Sequence, residues 1–99
     1  MSYLDNKIQQ ISTLCKNHNV GSLFVFGSVL TDRFNQDSDI DMVVNFNPIE
    51  LNDYVDNYFS LKDSLENLLE REVDLLEDKA IKNPILRNNI DRTKQLIYG

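Results

Sequence analysis

The chain has 99 residues, of which 41% are apolar, so it can form one small core and leaves no room for a second domain. Ten Lys and Arg residues against sixteen Asp and Glu residues give a net charge of −6, which argues against charge-driven binding to nucleic acid or to an anionic membrane. One cysteine and one histidine exclude an internal disulfide and a zinc site. There is no signal-peptide pattern and no apolar run near the roughly 20 residues of a membrane span, so we expect one cytoplasmic domain over residues 1–99.

The N-terminal half is predicted to form one helix and two strands. Apolar residues at spacings of three and four predict an amphipathic helix over residues 3–18. Residues 19–22 are interpreted as a turn, and a buried strand over residues 23–26 then ends at Gly27-Ser28. A helical turn and a loop over residues 29–38 precede a second, almost wholly apolar strand over residues 40–46.

The C-terminal half is predicted to contain two helices and two strands. Asn47-Pro48-Ile49-Glu50 matches a helix start, with a capping Asn, Pro in the first turn and Glu three residues after the cap. The following helix of about 20 residues has an apolar stripe made of Leu51, Tyr54, Val55, Tyr58, Phe59, Leu65, Leu68 and Leu69. Next comes a third strand over residues 73–76. A short helix then begins at Asn83-Pro84 and turns Leu86 and Ile90 inward, and an edge strand over residues 95–98 ends the chain. This alternation predicts an α/β (α+β) fold with a small mixed sheet and helices packed on it.

Three aspartates lie on two of the predicted strands. Residues two apart on a strand share a face, so Asp39 and Asp41 project together while Ile40 points to the core. Asp74 lies in the middle of the third strand, and the three carboxylates converge if that strand lies beside the second. Clustered carboxylates are unfavourable alone, but with phosphate oxygens they suit one or two Mg²⁺ ions.

Gly27-Ser28 ends a strand and begins a turn. Gly allows a close approach of the backbone to a ligand, and free amides with the Ser28 hydroxyl can hold phosphate oxygens. A phosphate-binding turn beside metal-binding carboxylates is typical of phosphoryl or nucleotidyl transfer.

The chain resembles the minimal nucleotidyltransferase (MNT) family of the DNA polymerase β superfamily over nearly its whole length. The family's motifs are matched by Phe26-Gly27-Ser28, Ser38-Asp39-Ile40-Asp41 and Val73-Asp74-Leu75. The resemblance implies transfer of AMP from ATP, with Gly27 and Ser28 on the triphosphate, Asp39 and Asp41 holding metals, and Asp74 as a third carboxylate that helps to activate the attacking hydroxyl. It also implies a partner with a HEPN (higher eukaryotes and prokaryotes nucleotide-binding) domain. By this resemblance the chain is an antitoxin that silences its partner by adenylylating a tyrosine.

The chain departs from the family at one motif. Many members have Arg-Gly a few residues after the Gly-Ser pair, where this chain has Thr31-Asp32. Asp tolerates the left-handed backbone that Gly would adopt, and we expect Arg33 to supply the cation from one residue away. The change bears on nucleotide affinity rather than on metal binding.

Other interpretations stay open. The chain could instead inhibit its partner by binding alone, with a weak or inactive site. Asp39 and Asp41 could form a solvated turn, and Asp74 could face water on an edge strand. An EF-hand loop is disfavoured because its required Gly and Glu positions are Met42 and Pro48. Lys82 and Arg87 are interpreted as surface cations, with neutralisation of triphosphate charge as the alternative. The remaining candidates have simpler structural interpretations, as packing or helix-end residues: Cys15, His18, Tyr54, Tyr58 and Phe59.

Overall fold

The computed structural model describes residues 4–31, 33–35 and 37–99, so the expectations that concern Tyr3 and Asp32 lie outside the described residues. Its regular elements are α1 (Ile8–Asn17), β1 (Val20–Phe26), β2 (Ile40–Phe46), α2 (Leu51–Leu69), β3 (Val73–Glu77), α3 (Pro84–Thr93) and β4 (Gln95–Tyr98). Short 3₁₀ turns lie before α1, after β1 and after β3, at Asp5–Lys7, Gly27–Leu30 and Asp78–Ala80.

The four strands form one mixed sheet in the order β3-β2-β1-β4. β1 pairs antiparallel with both β2 and β4, whereas β2 and β3 run parallel. A parallel pair needs a long crossover connection, and α2 with its flanking loops supplies it. The predicted α/β fold is therefore confirmed, as are the bounds predicted for β2 and β4.

A core of apolar side chains joins α1 and α2 to one face of the sheet. Its most buried members come from both helices and three strands: Ile11, Cys15, Leu23, Val25, Ile40, Met42, Val44, Leu61, Leu65, Leu69, Val73 and Leu75. Because alternate residues of a strand point to opposite faces, burial of Ile40 and Met42 turns Asp41 to the other face. No helix in the described ranges is long and apolar enough to span a membrane.

Two N-terminal predictions are wrong in their bounds. The α-helix begins at Ile8 rather than near residue 3, and it follows a 3₁₀ turn. Residues 20–22, expected in a turn, open β1, where Val20 is buried and pairs with Phe46. Asn19 has a left-handed backbone with φ 60°, a conformation that Asn tolerates, and it reverses the chain in one residue.

The predicted helix cap at Asn47 is also wrong. α2 begins at Leu51, and its N-cap residue Glu50 makes no side-chain capping bond. The Asn47 side chain lies against Gly21, and its backbone N–H donates to the Asn19 carbonyl oxygen at 2.8 Å, so Asn47 extends the β1–β2 pairing. The corresponding prediction for α3 is confirmed, because the Asn83 side chain accepts hydrogen bonds from two N–H groups of the first turn.

Four apolar residues expected to face inward are exposed: Leu51, Val55, Phe59 and Leu86. A helix packed on a sheet buries a stripe roughly 100° wide, and Tyr54, Tyr58 and the leucines of α2 fill that stripe. On α3 the predicted inward residue Ile90 is buried, with 1% of its surface exposed. Packing in the core therefore does not explain why the exposed positions of α2 carry apolar residues.

Candidate functional site

The end of β1 forms the floor of the site. Gly27 has φ +79°, a left-handed conformation that favours glycine, and it starts the 3₁₀ turn that contains Ser28. A Cβ atom on Gly27 would collide with Asp41 Oδ2. Glycine is therefore required here both by the backbone and by the carboxylate of Asp41 directly beside it.

The strands β2 and β3 place Asp41 and Asp74 side by side. The two residues are partners in the parallel register, and Asp41 is also paired with Phe26 at the end of β1. Asp74 is exposed on the edge strand, while Asp41 is partly buried. Asp39 is exposed and immediately precedes β2. Strand order thus brings two of the three predicted carboxylates, Asp41 and Asp74, onto neighbouring strands.

The charge of Asp41 is disfavoured by its surroundings. The pKa of Asp41 is raised, mainly because burial disfavours its charge, and further because Asp74 and Asp39 repel that charge. A divalent cation would remove both costs, and carboxylate oxygens are the ligands that Mg²⁺ prefers. The chemistry of the donor set therefore fits such an ion.

The positions of the side-chain oxygens do not yet form a metal cage. Within residues 4–31, 33–35 and 37–99, no group of three or more His, Cys, Asp or Glu side chains is arranged to hold a metal ion. Mg²⁺ needs its ligands at about 2.1 Å, so the carboxylates must rotate toward an ion to bind it. The backbone brings Asp41 and Asp74 together, and ligand binding has to complete the arrangement.

A cavity of about 570 Å³ opens beside the Gly27 turn. Its lining includes the predicted residues Gly27, Ser28 and Arg33. It also includes Thr93 at the end of α3 and Gln95 at the start of β4, which the sequence interpretation did not name. These two residues reach the site because β4 pairs with β1, and no local motif indicates that pairing.

A second cavity, of about 400 Å³, opens beside Asp39 and Asp74. Lys62 and Glu66 of α2 line it, together with Glu72 and Val73. Glu66 is fixed there, because its Oε2 atom accepts a hydrogen bond from the Val73 N–H at 2.9 Å and lies 3.6 Å from Lys62 Nζ. Asp39 and Asp74 thus border one cavity and the Gly27 turn borders the other, whereas Asp41 lines neither of these two.

Arg71 attaches the loop before Asp39 to the start of β3. Its Nη1 atom donates hydrogen bonds to the carbonyl oxygens of Asn35 and Ser38, the latter at 2.8 Å. Its guanidinium group also lies over the Phe34 ring, 4.2 Å from the ring centre. Arg71 therefore holds the backbone that carries Asp39 close to the strand that carries Asp74, a role with no signal in the sequence.

The other candidate residues have structural roles. Cys15 is fully buried, and burial raises the pKa of its thiol to about 12. His18 caps α1, with Nδ1 2.7 Å from the Leu14 carbonyl oxygen. Arg87 forms an ion pair with Asp78 at 2.7 Å, whereas Lys82 is exposed. None of these residues lines either of the two cavities.

The two tyrosines of α2 are half-buried, and their hydroxyl groups donate hydrogen bonds to β3. Tyr54 bonds to the Glu77 carboxylate and Tyr58 to the Leu75 carbonyl oxygen. These bonds confirm the interpretation of both residues as packing residues, whereas Phe59 is 54% exposed.

Comparison with known proteins connects this arrangement to a family. A family profile described as Polymerase beta, Nucleotidyltransferase matches residues 7–99. A protein of Methanocaldococcus jannaschii named “Putative protein adenylyltransferase” is 39% identical over 85 residues, covering 86% of this chain and 82% of that protein.

Two solved structures have a similar fold. One, described as a “putative minimal nucleotidyltransferase”, is 29% identical with a TM-score of 0.78, covering 96% of this chain and 95% of the other. The second is a complex of a tri-AMPylated Shewanella oneidensis HEPN toxin with an MNT antitoxin. Its matching chain has a TM-score of 0.63 at 18% identity, covering 93% of this chain and 69% of the other, and this likeness supports the fold alone.

Proposed function

Because this chain belongs to the polymerase β nucleotidyltransferase family, we propose that it transfers AMP from ATP to a tyrosine hydroxyl of a HEPN-domain partner and so acts as an antitoxin. The hydroxyl oxygen attacks the α-phosphorus, the bond to the β-phosphate oxygen breaks, and pyrophosphate leaves. The chain is an enzyme of the adenylyltransferase type, as its relatives are named. ATP is a cytoplasmic substrate, which agrees with the cytoplasmic location that we propose.

The register pairing of Asp41 with Asp74 is the observation that carries this proposal. Asp74 lines the cavity that Asp39 also borders, and Asp41 lies beside Gly27, which lines the other cavity. A transfer reaction needs room for a donor and an acceptor on opposite sides of the reacting phosphorus. Two cavities at one carboxylate pair meet that requirement.

The donor is assigned to the cavity at the Gly27 turn. There the close backbone at Gly27, the Ser28 hydroxyl and the Arg33 guanidinium would contact triphosphate oxygens. Arg33 supplies a positive charge in an otherwise acidic chain, which favours an anionic group at that place.

Asp39, Asp41 and Asp74 are assigned to Mg²⁺, with two ions per site. The ions would neutralise charge that develops on the attacking and leaving oxygens. Asp74 is exposed and lines the cavity assigned to the acceptor, and in this proposal it also orients the tyrosine hydroxyl and takes its proton.

One observation favours the alternative function, inhibition of the partner by binding alone. The described residues hold no ready cluster for a metal ion, and a site that never closes on Mg²⁺ would leave only a binding surface. The two functions differ in whether Mg²⁺ and ATP stabilise the free chain.

Labelled ATP tests the proposal. The native chain is incubated with Mg²⁺, ATP labelled at the α-phosphate and the HEPN-domain protein of the same genome, and label is measured on that protein. We expect transfer by the native chain and at least about 100-fold less by Asp41→Asn. Asp5→Asn, which removes an exposed charge from the 3₁₀ turn before α1, is expected to transfer at the native rate. A native chain that transfers no label, or an Asp41→Asn variant at full rate, contradicts the proposal.

A further inference from the structure

Three exposed apolar residues form a continuous row on α2, called here the α2 stripe. Leu51, Val55 and Phe59 are spaced four residues apart and are 85%, 57% and 54% exposed. Side chains four residues apart on a helix lie one above the other on the same face, so the row extends about 12 Å along α2. Apolar residues aligned on one exposed helix face are a feature of many protein interaction surfaces.

The α2 stripe continues into the cavity at Asp39 and Asp74. Lys62 and Glu66 follow Phe59 on the same helical face at the next spacings of three and four, and both line that cavity. From Leu51 to Glu66 this face is about 22 Å long. A molecule that covers the stripe would therefore also meet the entrance to the cavity where the acceptor hydroxyl is proposed to bind.

The charges on α2 indicate what kind of molecule this is. The helix carries Asp53, Asp56, Asp63 and Glu66 against the single cation Lys62, and the whole chain has a net charge of −6. A second copy of this acidic chain and an anionic lipid surface would both be repelled. A protein surface with apolar side chains ringed by Lys and Arg complements this helix in both shape and charge.

We propose that the α2 stripe is the docking surface for the protein that carries the acceptor hydroxyl, with basic side chains of that protein around it. This inference rests on the proposed function. Docking along α2 positions the acceptor at the Asp74 end, on the side away from the Gly27 turn. The stripe thereby gives the reaction its protein substrate, while the aspartates carry out the transfer.

The test separates docking from catalysis with charge-matched variants. Val55→Glu and Phe59→Glu each introduce a carboxylate into the stripe, and Ile85→Glu makes the same change at an apolar residue of α3 that is 72% exposed. Binding to the HEPN-domain protein of the same genome is measured by titration calorimetry, AMP transfer by label, and binding of ATP with Mg²⁺ by thermal shift.

We expect the two stripe variants to bind the partner at least about tenfold more weakly and to lose AMP transfer at low partner concentration, with the ATP-induced thermal shift unchanged. Ile85→Glu is expected to match the native chain in all three assays. Partner binding by both stripe variants within twofold of native overturns the inference, as does a native dimer that Val55→Glu dissociates while partner binding persists.

The two proposals fail separately. A native chain that binds the partner through the stripe but transfers no AMP contradicts the proposed enzyme function and leaves the docking surface intact. Native AMP transfer with stripe variants that are equally active contradicts the docking surface and leaves the enzyme function intact.

Discussion

Replacement of Asp41 by Asn tests the electrostatic description of the site. The side chain keeps its shape and loses its charge, in the position that is paired with Asp74 and follows Asp39 by two residues. Because burial and two neighbouring carboxylates raise the pKa of Asp41, its charge destabilises the metal-free fold. We therefore expect the variant to be more stable than the native chain when EDTA removes divalent ions.

The size of the effect follows from the strand spacing. Neighbouring strands lie about 4.8 Å apart. Carboxylates about 6 Å apart repel by about 0.7 kcal/mol at the dielectric constant of water and by about 2.8 kcal/mol at an effective constant of about 20. Asp74 is exposed, so the lower part of that range applies, and we expect a gain of about 1 kcal/mol, or roughly 4–8 °C in melting temperature.

Thermal unfolding in EDTA and in Mg²⁺ with ATP provides the measurement. With the ligands present the order should reverse, because the native chain gains binding energy that the variant lacks. The advantage of the variant in EDTA should shrink as the pH falls from about 7 toward 4, since protonation removes the native charge as well. A variant no more stable than the native chain in EDTA, or an equal gain from Asp63→Asn, would refute this account.

Three further changes test other parts of the structure. Gly27→Ala should lower the free energy of unfolding by more than about 1 kcal/mol, because Ala is strained at φ +79° and its Cβ collides with Asp41 Oδ2. In urea titrations this loss should be smaller when Asp41→Ala is also present. Purely additive effects of the two changes would contradict the collision. Arg71→Ala should lower the free energy of unfolding by about 2 kcal/mol, because two charged hydrogen bonds and the contact with Phe34 are lost. It should also raise the Mg²⁺ concentration needed for activity. Arg92→Ala, at an exposed position, should have neither effect. Burial raises the pKa of the Cys15 thiol to about 12, so raising the pH to 10 ionises this thiol in the unfolded chain but not in the native one. Native stability should therefore fall by about 1 kcal/mol between pH 8 and pH 10, a loss that unfolding curves of Cys15→Ala should not show.

Local patterns were sufficient where a strand is surrounded by clear signals. β2 has the predicted bounds because Asp39 precedes an almost continuous apolar run that ends at Phe46, before Asn47-Pro48. Asn83-Pro84 likewise starts α3 as predicted. Asn47-Pro48 has the same local pattern, yet α2 begins only at Leu51, and the Asn47 side chain lies against Gly21 of β1.

Residues that join the site from other elements had no such pattern. Thr93 and Gln95 line the cavity at the Gly27 turn because β4 lies beside β1, and Lys62 lines the second cavity because α2 crosses over β3. Arg71 has its role because a single side chain spans from β3 to the loop before Asp39. Neighbour relations between elements decide these positions, and helical or strand periodicity contains no information about them.

The core is what holds the like-charged aspartates together. The side-chain period of a strand is two, so a slip of one residue in β2 or β3 would bury Asp41 or Asp74 and expose the residues beside them. In the observed register the two carboxylates lie on one face of the sheet. The apolar residues that alternate with them are buried on the other face: Ile40, Met42, Val44, Val73 and Leu75. Each of these side chains contributes about 1.5–3 kcal/mol on burial, against a repulsion of about 1 kcal/mol between the aspartates. The apolar face therefore determines the register, and the carboxylates remain adjacent although their mutual interaction opposes it.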